Sequence, residues 1–276
     1  MEQPNTYKIP LIDIRKVIKS KNPRLLKILP NFIINYIKKI IHQDEINSFL
    51  KINGDKSGVE FISKSLDVFG VSYKVINKEN IPENGKFIFA SNHPLGGLDG
   101  MVLIHAISNI CGDVKFLVND VLLNVKNLES VFIPINKHGG LAKETVKQID
   151  AAFNSNNQIL VFPAGLASRK IKGKIVDLEW KKNFVSKSLQ HKRDIIPVHI
   201  DGRNSNFFYR LANIRKFLKI KANIEMFYLP DEMFKQKSKL ITLTIGKPIS
   251  YKTFKNNSHK YWAKKIKDEV YSLPKK

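Results

Sequence analysis

The residues best suited to proton transfer are His93 and Asp99, in the stretch SNHPLGGLDG at positions 91–100. Histidine exchanges protons near neutral pH, and a carboxylate bonded to its second ring nitrogen fixes the tautomer and stabilises the imidazolium. Five residues separate the two, so they would not face each other on a regular helix. The pair Gly96-Gly97 would let the backbone bend and bring them together. Two interpretations stay open at this point: a catalytic pair, or a histidine that ends a strand before an aspartate that caps a helix.

The elements that must position this stretch follow Gly70, where short apolar runs alternate with helix-length stretches. This alternation predicts an α/β fold with a mostly parallel sheet flanked by helices. Ligands of such sheets gather at the carboxyl ends of the strands. His93 follows one predicted strand, Phe162-Pro163-Ala164-Gly165 ends another, and Asn136-Lys137-His138 follows a third. The predicted strands are 71–76, 87–90, 114–118, 131–135, 159–162, 195–200, 224–229 and 240–245, and the predicted helices are 99–110, 141–153, 179–189, 207–218 and 260–272.

The first part of the chain has a helical pattern. We expect residues 1–80 to form an N-terminal helical segment and residues 81–276 to form the main domain. The stretch 24–41, RLLKILPNFIINYIKKII, is the most apolar part of this segment, and Pro30 interrupts it. The residues after Pro30 combine an apolar face with lysines. Such a helix can lie in a membrane interface, and it can equally pack on the domain core.

The charge of the chain is strongly basic. Lys and Arg number 47 against 24 Asp and Glu, which gives a formal net charge of +23. Such a charge attracts nucleic acid, an anionic membrane surface or an acidic protein. No zinc-finger spacing or RNP-like strand supports nucleic acid as the partner. No apolar run predicts a membrane-spanning helix or a signal peptide, the single Cys111 excludes a disulfide framework, and the scattered histidines predict no metal site.

Four short blocks of sequence occur in order: SNHPLGGLDG (91–100), VFIPINK (131–137), VFPAGLASRK (161–170) and IIPVHIDG (195–202). Together they resemble the four blocks of the glycerolipid acyltransferases, the lysophosphatidic-acid-acyltransferase-like superfamily. The resemblance covers about residues 85–250. The residues of the blocks are most similar to those of the branch that contains hemolysin-like proteins and O-acyltransferases of amino-acid lipids, such as ornithine or glycine lipids.

The resemblance also implies roles for individual residues. His93 would be the general base and Asp99 its orienting carboxylate. Lys137 occupies the basic position of the second block, and it would bind the anionic acceptor together with Arg169 and Lys170. The remaining block residues that would shape the site are Asn92, Gly96, Gly97, Phe162, Pro163 and Gly165.

Two departures from the family pattern favour an acceptor other than glycerol phosphate. The family has four residues between the histidine and the aspartate, and this chain has five. The third block has Ala164 where the family has glutamate, and Ala167 where arginine is frequent.

The resemblance implies an O-acyltransferase that moves a fatty acyl group from an acyl carrier protein or CoA thioester to the hydroxyl of a lysolipid. The favoured acceptor is a lyso-amino-acid lipid, and no cofactor or metal is expected. One alternative is a 1-acylglycerol-3-phosphate acyltransferase of phospholipid synthesis. Another is a non-catalytic basic protein that binds membranes or nucleic acid. We expect the enzyme to be monotopic on the cytoplasmic face of an anionic membrane, with the basic surface steering both substrates.

Overall fold

The computed structural model describes residues 11–118, 125–135, 141–220 and 223–273, with the backbone alone for Lys21 and residues 141–143. Its helices are α1 (Ile14–Lys21), α2 (Pro23–Ile28), α3 (Asn31–Ile40), α4 (Gln43–Asn53), α5 (Gly58–Phe69), α6 (Leu98–Cys111), α7 (Leu141–Asn154), α8 (Asn183–His191), α9 (Asn206–Phe217), α10 (Leu229–Phe234) and α11 (His259–Ser272). Its strands are β1 (Ser72–Ile76), β2 (Phe87–Ser91), β3 (Val114–Val118), β4 (Phe132–Pro134), β5 (Gln158–Val161), β6 (Arg169–Ile171), β7 (Lys174–Val176), β8 (Asp194–Asp201) and β9 (Leu240–Ile245).

A seven-stranded sheet forms the centre of the fold, with the strand order β1-β9-β8-β2-β5-β3-β4. Every neighbouring pair in this sheet is parallel except β8 and β9. The predicted α/β architecture with a mostly parallel sheet is therefore confirmed. β2 lies between β8 and β5, and all five of its residues are buried.

Helices cover both faces of the sheet because the residues of β2 alternate between two apolar cores. Phe87 and Phe89 belong to the core that includes residues of α5 and α6. Ile88 and Ala90 belong to the core that includes residues of α8 and α11. A strand that buries both faces in this way reads as a continuous apolar run, which is what the sequence shows at 87–90.

The N-terminal helices adjoin this framework. β1 pairs with β9, so the main sheet includes residues on both sides of the predicted boundary at residue 80. In α3, Ile34 is buried, whereas Phe32 is 69% exposed. The helix therefore packs on the protein along one face and presents aromatic side chains on another. No helix in the described parts of the chain is long and apolar enough to cross a membrane.

Two local predictions were wrong, and one element was not predicted. The predicted strand 224–229 is instead a short 3-10 helix, Ile224–Tyr228, that leads into α10, where the buried Glu225 pairs with Arg169 and Arg215. The helix predicted to start at residue 179 starts at Asn183. The antiparallel hairpin of β6 and β7 was missed, although its two-residue loop, Lys172-Gly173, has the positive φ angles that such turns need.

Candidate active site

His93 and Asp99 form the bonded pair on which the catalytic interpretation depends. The His93 Nδ1 lies 3.0 Å from the Asp99 Oδ2. A carboxylate only accepts hydrogen bonds, so the proton sits on Nδ1 and leaves Nε2 unprotonated. In the described parts of the chain Nε2 has no hydrogen-bond partner, and the His93 side chain is 13% exposed. This geometry is that of a general base whose tautomer is fixed by a carboxylate.

The backbone around the pair explains how five intervening residues are accommodated. Asp99 is fully buried, and its two oxygens also accept the backbone N–H groups of Leu95 and Gly100. Gly96 has a φ of +89°, in the left-handed region that a side chain disfavours. Gly97 has an ordinary φ of −100°, and a Cβ there would lie close to the Met233 sulfur, at 3.1 Å. Of the two glycines, Gly96 supplies the bend.

The sheet brings the first and third sequence blocks together. β2 and β5 are parallel neighbours, with Ala90 opposite Val161. His93 and Phe162 follow these strands, and their rings stack at 4.1 Å between centroids. Phe162 in turn meets Phe116 edge to face at 5.1 Å. The base therefore rests on an aromatic surface that limits its rotation.

Two further groups fix the backbone on either side of His93. The Asn92 amide donates to the carbonyl and accepts from the N–H of Ile200 on β8, at 2.9 and 2.7 Å. The N–H of His93 donates to the Asp177 Oδ1 at 3.2 Å. The carbonyl of His93 accepts the N–H of Ser168 at 2.7 Å, so the third block is bonded to the backbone of His93 as well.

The Asp177 carboxylate bonds several groups of this region, and it was not predicted from the sequence as a site residue. Besides the His93 N–H, it accepts the Ser168 hydroxyl at 2.6 Å and the Trp180 indole N–H at 2.8 Å. Its own N–H donates to the Tyr271 hydroxyl at 2.8 Å. Burial and the charge of Asp177 raise the pKa of Tyr271, so the hydroxyl keeps its proton. The only sequence signal was an aspartate three residues before a tryptophan, which specifies no partner.

An apolar cavity of about 400 Å³ opens beside His93. The block residues Gly96, Gly97, Phe162 and Gly165 line it near the base. Its remaining walls come from the N-terminal helices α4 and α5, from α6, from residues 116–118 and 125–135 and from α10, and include Phe49, Leu50, Phe61, Ser65, Phe69, Met101, Ile104, Leu128, Met233 and Phe234. Residues 59–69 have the apolar spacing of a helix, but that pattern gives no sign that the helix borders a cavity. A cavity of this size and character suits a hydrocarbon chain.

Of the three predicted anion-binding residues, the structure describes two, Arg169 and Lys170. Lys137 lies outside the described residues. The guanidinium of Arg169 is buried and bonds the Glu225 carboxylate at 2.9 Å. Burial lowers the pKa of Arg169, and the charge of Glu225 opposes that shift. Lys170 is exposed on β6, and neither it nor Arg169 is among the residues that line the cavity.

Pro163 and Gly165 shape the loop after β5. The Gly165 N–H donates to the carbonyl of Phe162 at 2.9 Å, and Gly165 has a φ of +68°. This tight turn keeps Phe162 in place beneath His93. Within the described residues, no group of three or more His, Cys, Asp or Glu could hold a metal ion.

Comparison with known proteins identifies the family. The model of the Acyltransferase family matches residues 16–273. The lyso-glycine lipid O-acyltransferases of Bacteroides thetaiotaomicron and Phocaeicola vulgatus are each 49% identical over 265 residues, which cover 95% of this chain and 97% and 95% of those proteins. The crystal structure of the 1-acyl-sn-glycerophosphate acyltransferase PlsC from Thermotoga maritima is similar with a TM-score of 0.47 and 17% identity, over 89% of this chain and 91% of that one. The family match spans nearly the whole chain, and the chain therefore belongs to the acyltransferase family, within the glycerolipid acyltransferase superfamily.

Proposed function

We propose that this acyltransferase moves a fatty acyl chain from an acyl thioester to the hydroxyl of a lyso-glycine lipid. The observation that carries the proposal is the bonded pair of His93 and Asp99 at the edge of an apolar cavity. The acceptor is inferred from the two relatives, which carry that name. A glycerol phosphate acceptor has less support, because Ala164 and Ala167 are buried in apolar clusters and offer no group to a phosphate.

In the proposed reaction, the His93 Nε2 takes the proton of the acceptor hydroxyl as its oxygen attacks the thioester carbonyl. General-base assistance of this kind typically contributes about 10²–10⁴-fold. The imidazolium that forms is stabilised by Asp99, and it returns the proton to the departing thiolate. The backbone N–H groups of Gly96 and Gly97 border the cavity beside the base, and no acceptor among the described residues takes them. We assign them to the developing oxyanion.

The direct test is transfer of a labelled acyl chain by the purified protein to lyso-glycine lipid, from acyl carrier protein and from CoA in parallel. We expect product from at least one donor. A Ser65→Phe variant should favour shorter chains, because Ser65 lines the cavity on α5 and the added ring fills part of it. Absence of product with both donors, from protein that is folded, would reject the proposed function. If the variant transferred acyl chains of the same lengths as the wild type, the cavity would not be the acyl site.

The protein is also proposed to bind an anionic membrane surface peripherally, on the cytoplasmic face. Several large apolar side chains are exposed on α2, α3, α9 and the 3-10 helix after it: Ile28 (76%), Phe32 (69%), Phe217 (85%) and Phe227 (62%). The two regions adjoin, because the hydroxyls of Tyr36 on α3 and Tyr228 lie 3.0 Å apart. The Tyr228 ring also contacts that of Phe207 on α9, at 4.9 Å between centroids. We call the four exposed residues Ile28, Phe32, Phe217 and Phe227 the docking surface.

Basic residues accompany the docking surface, which suits anionic lipid. Exposed cations on the same elements are Arg24, Lys27, Lys39, Arg210 and Lys216, and Lys219 follows two residues after α9. An apolar surface bordered by cations combines hydrocarbon burial with electrostatic attraction, as interfacial helices do. The surface thus includes α9, far along the chain from the N-terminal helices that the sequence indicated.

We expect Phe32→Glu and Phe217→Glu each to weaken binding to anionic vesicles by about 10-fold or more, from the lost burial of one phenyl ring and the added negative charge. Co-sedimentation with vesicles measures this, and raised salt should weaken wild-type binding. Val146→Glu is the control, since Val146 is 55% exposed on α7, outside the docking surface. Equal binding by all four proteins would contradict the docking surface.

A further inference from the structure

Lys181 lies outside all four sequence blocks, yet its side chain lies close to the third. A Cβ built on Gly165 would be 3.5 Å from the Lys181 Nζ. The N–H of Lys181 donates to the carbonyl of Pro163 at 3.0 Å. Gly165 and His93 both line the cavity. The ammonium group is therefore beside the loop that borders the base.

The backbone that carries Lys181 is held firmly at both ends. Asp177 bonds the N–H of His93, and the buried Trp180 donates its indole N–H to the same carboxylate. The segment 177–181 thus follows the loop of the third block instead of starting α8. The helix predicted from residue 179 is displaced for this reason. The backbone position of Lys181 is consequently coupled to that of the base.

The ammonium group of Lys181 is free for a ligand. Within the described residues no carboxylate pairs with it, and the residue is exposed. Of the cations predicted for this role, Arg169 instead pairs with the buried carboxylate of Glu225, which it shares with Arg215. The absence of a side chain on Gly165 leaves open the space next to Nζ. An exposed ammonium next to the loop that borders His93 suits an anion on the substrate.

We propose that Lys181 binds the carboxylate of the acceptor's glycine head group, and so sets the specificity for a free carboxylic acid. This inference rests on the proposed function. An ammonium offers three donors to carboxylate oxygens and needs no fixed fork geometry. Lys126 is a cation that lines the cavity itself, which Lys181 does not, but it lies next to Asn127, whose amide bonds the carbonyls of Gly54 and Lys56 between α4 and α5. It belongs to the wall that α4 and α5 build and not to the loop beside His93.

The test compares lyso-glycine lipid with its methyl ester, which has the same chain and hydroxyl but no negative charge. We expect Lys181→Gln to raise the KM for the free acid about 10-fold to 100-fold, the usual loss for a hydrogen bond to a charged group. The KM for the ester should change less than about 3-fold, because the ester does not use the charge. Lys182→Gln is the matched control, being the next residue and also exposed. Melting temperatures of the three proteins check that each is folded.

A charge exchange sharpens the result. Lys181→Glu should prefer a lysolipid whose carboxylate is replaced by a primary amine, and should reject the free acid. Equal effects of Lys181→Gln on acid and ester, or the same effect from Lys182→Gln or Lys126→Gln, would overturn the assignment. Wild-type protein that acylates acid and ester equally well would also overturn it while leaving the proposed function in place. Wild-type protein that acylates neither would reject the proposed function and this inference together.

Discussion

His93→Ala should lower kcat/KM for acyl transfer by at least about 10²–10⁴-fold, the usual contribution of a general base. The side chain is partly exposed and packs on Phe162, so its removal should leave the fold intact. Asp99→Asn should also lower kcat/KM severely. The amide would donate to Nδ1 and hold the imidazole in the opposite tautomer, with the proton on Nε2, where it cannot act as a base.

The measurement is steady-state transfer with a thermal melt of each variant. His259→Ala is the control. His259 is the first residue of α11, its ring bonds the Ser186 hydroxyl on α8, and it does not line the cavity. It should stay within about 3-fold of wild type, the range of a residue that makes no transition-state contact. A folded His93→Ala protein with full activity would eliminate the pair as the catalytic group, whatever the acceptor is.

Asp177→Ala should be strongly destabilising. It leaves the His93 N–H and the Trp180 indole N–H without their acceptor, at about 1–3 kcal/mol for each group. A chain of this size loses about 2–4 °C in melting temperature for each kcal/mol, so a drop of roughly 4–24 °C is expected. The protein that remains folded should show a lower kcat, since the backbone that carries the base is no longer held.

Two further variants distinguish an effect on the position of His93 from an effect on the stability of the fold. Trp180→Phe removes one donor to Asp177 and should cost about 1 kcal/mol, with a small effect on kcat. Asp268→Ala removes an exposed carboxylate of α11 and should change neither quantity. A stable Asp177→Ala protein with wild-type kcat would show that the carboxylate does not position His93.

The cavity and the bonded pair account for different parts of the proposed activity. The pair supplies the proton transfer, and the cavity supplies space for a chain next to it. The walls of the cavity come largely from α4 and α5, within the segment predicted to associate with a membrane. An N-terminal segment that both borders the acyl site and adjoins the docking surface would bring the acceptor from the lipid surface to the base over a short path.

The sequence was most informative where apolar patterns are strong and local. The central strands were predicted closely, because a strand buried on both faces is a continuous apolar run between polar turns. It failed at 224–229, where a short apolar run fits a strand and a helix equally well, and burial of Glu225 against two arginines decided the outcome. It failed again at 179–182, where bonds to Asp177 and Pro163 override the tendency of the segment to form a helix.

By itself, the sequence determined the fold class, the family resemblance and the candidate base with its carboxylate, since these depend on residue types and on spacing along the chain. Only the tertiary structure decided whether His93 and Asp99 meet, through the left-handed Gly96 and the adjacent strands β2 and β5. It also shows that Arg169 is buried against Glu225, whereas Lys181, the anion ligand that we propose, is exposed. The sequence shows that a side chain is charged, but only the folded chain shows whether a buried partner such as Glu225 already pairs with it.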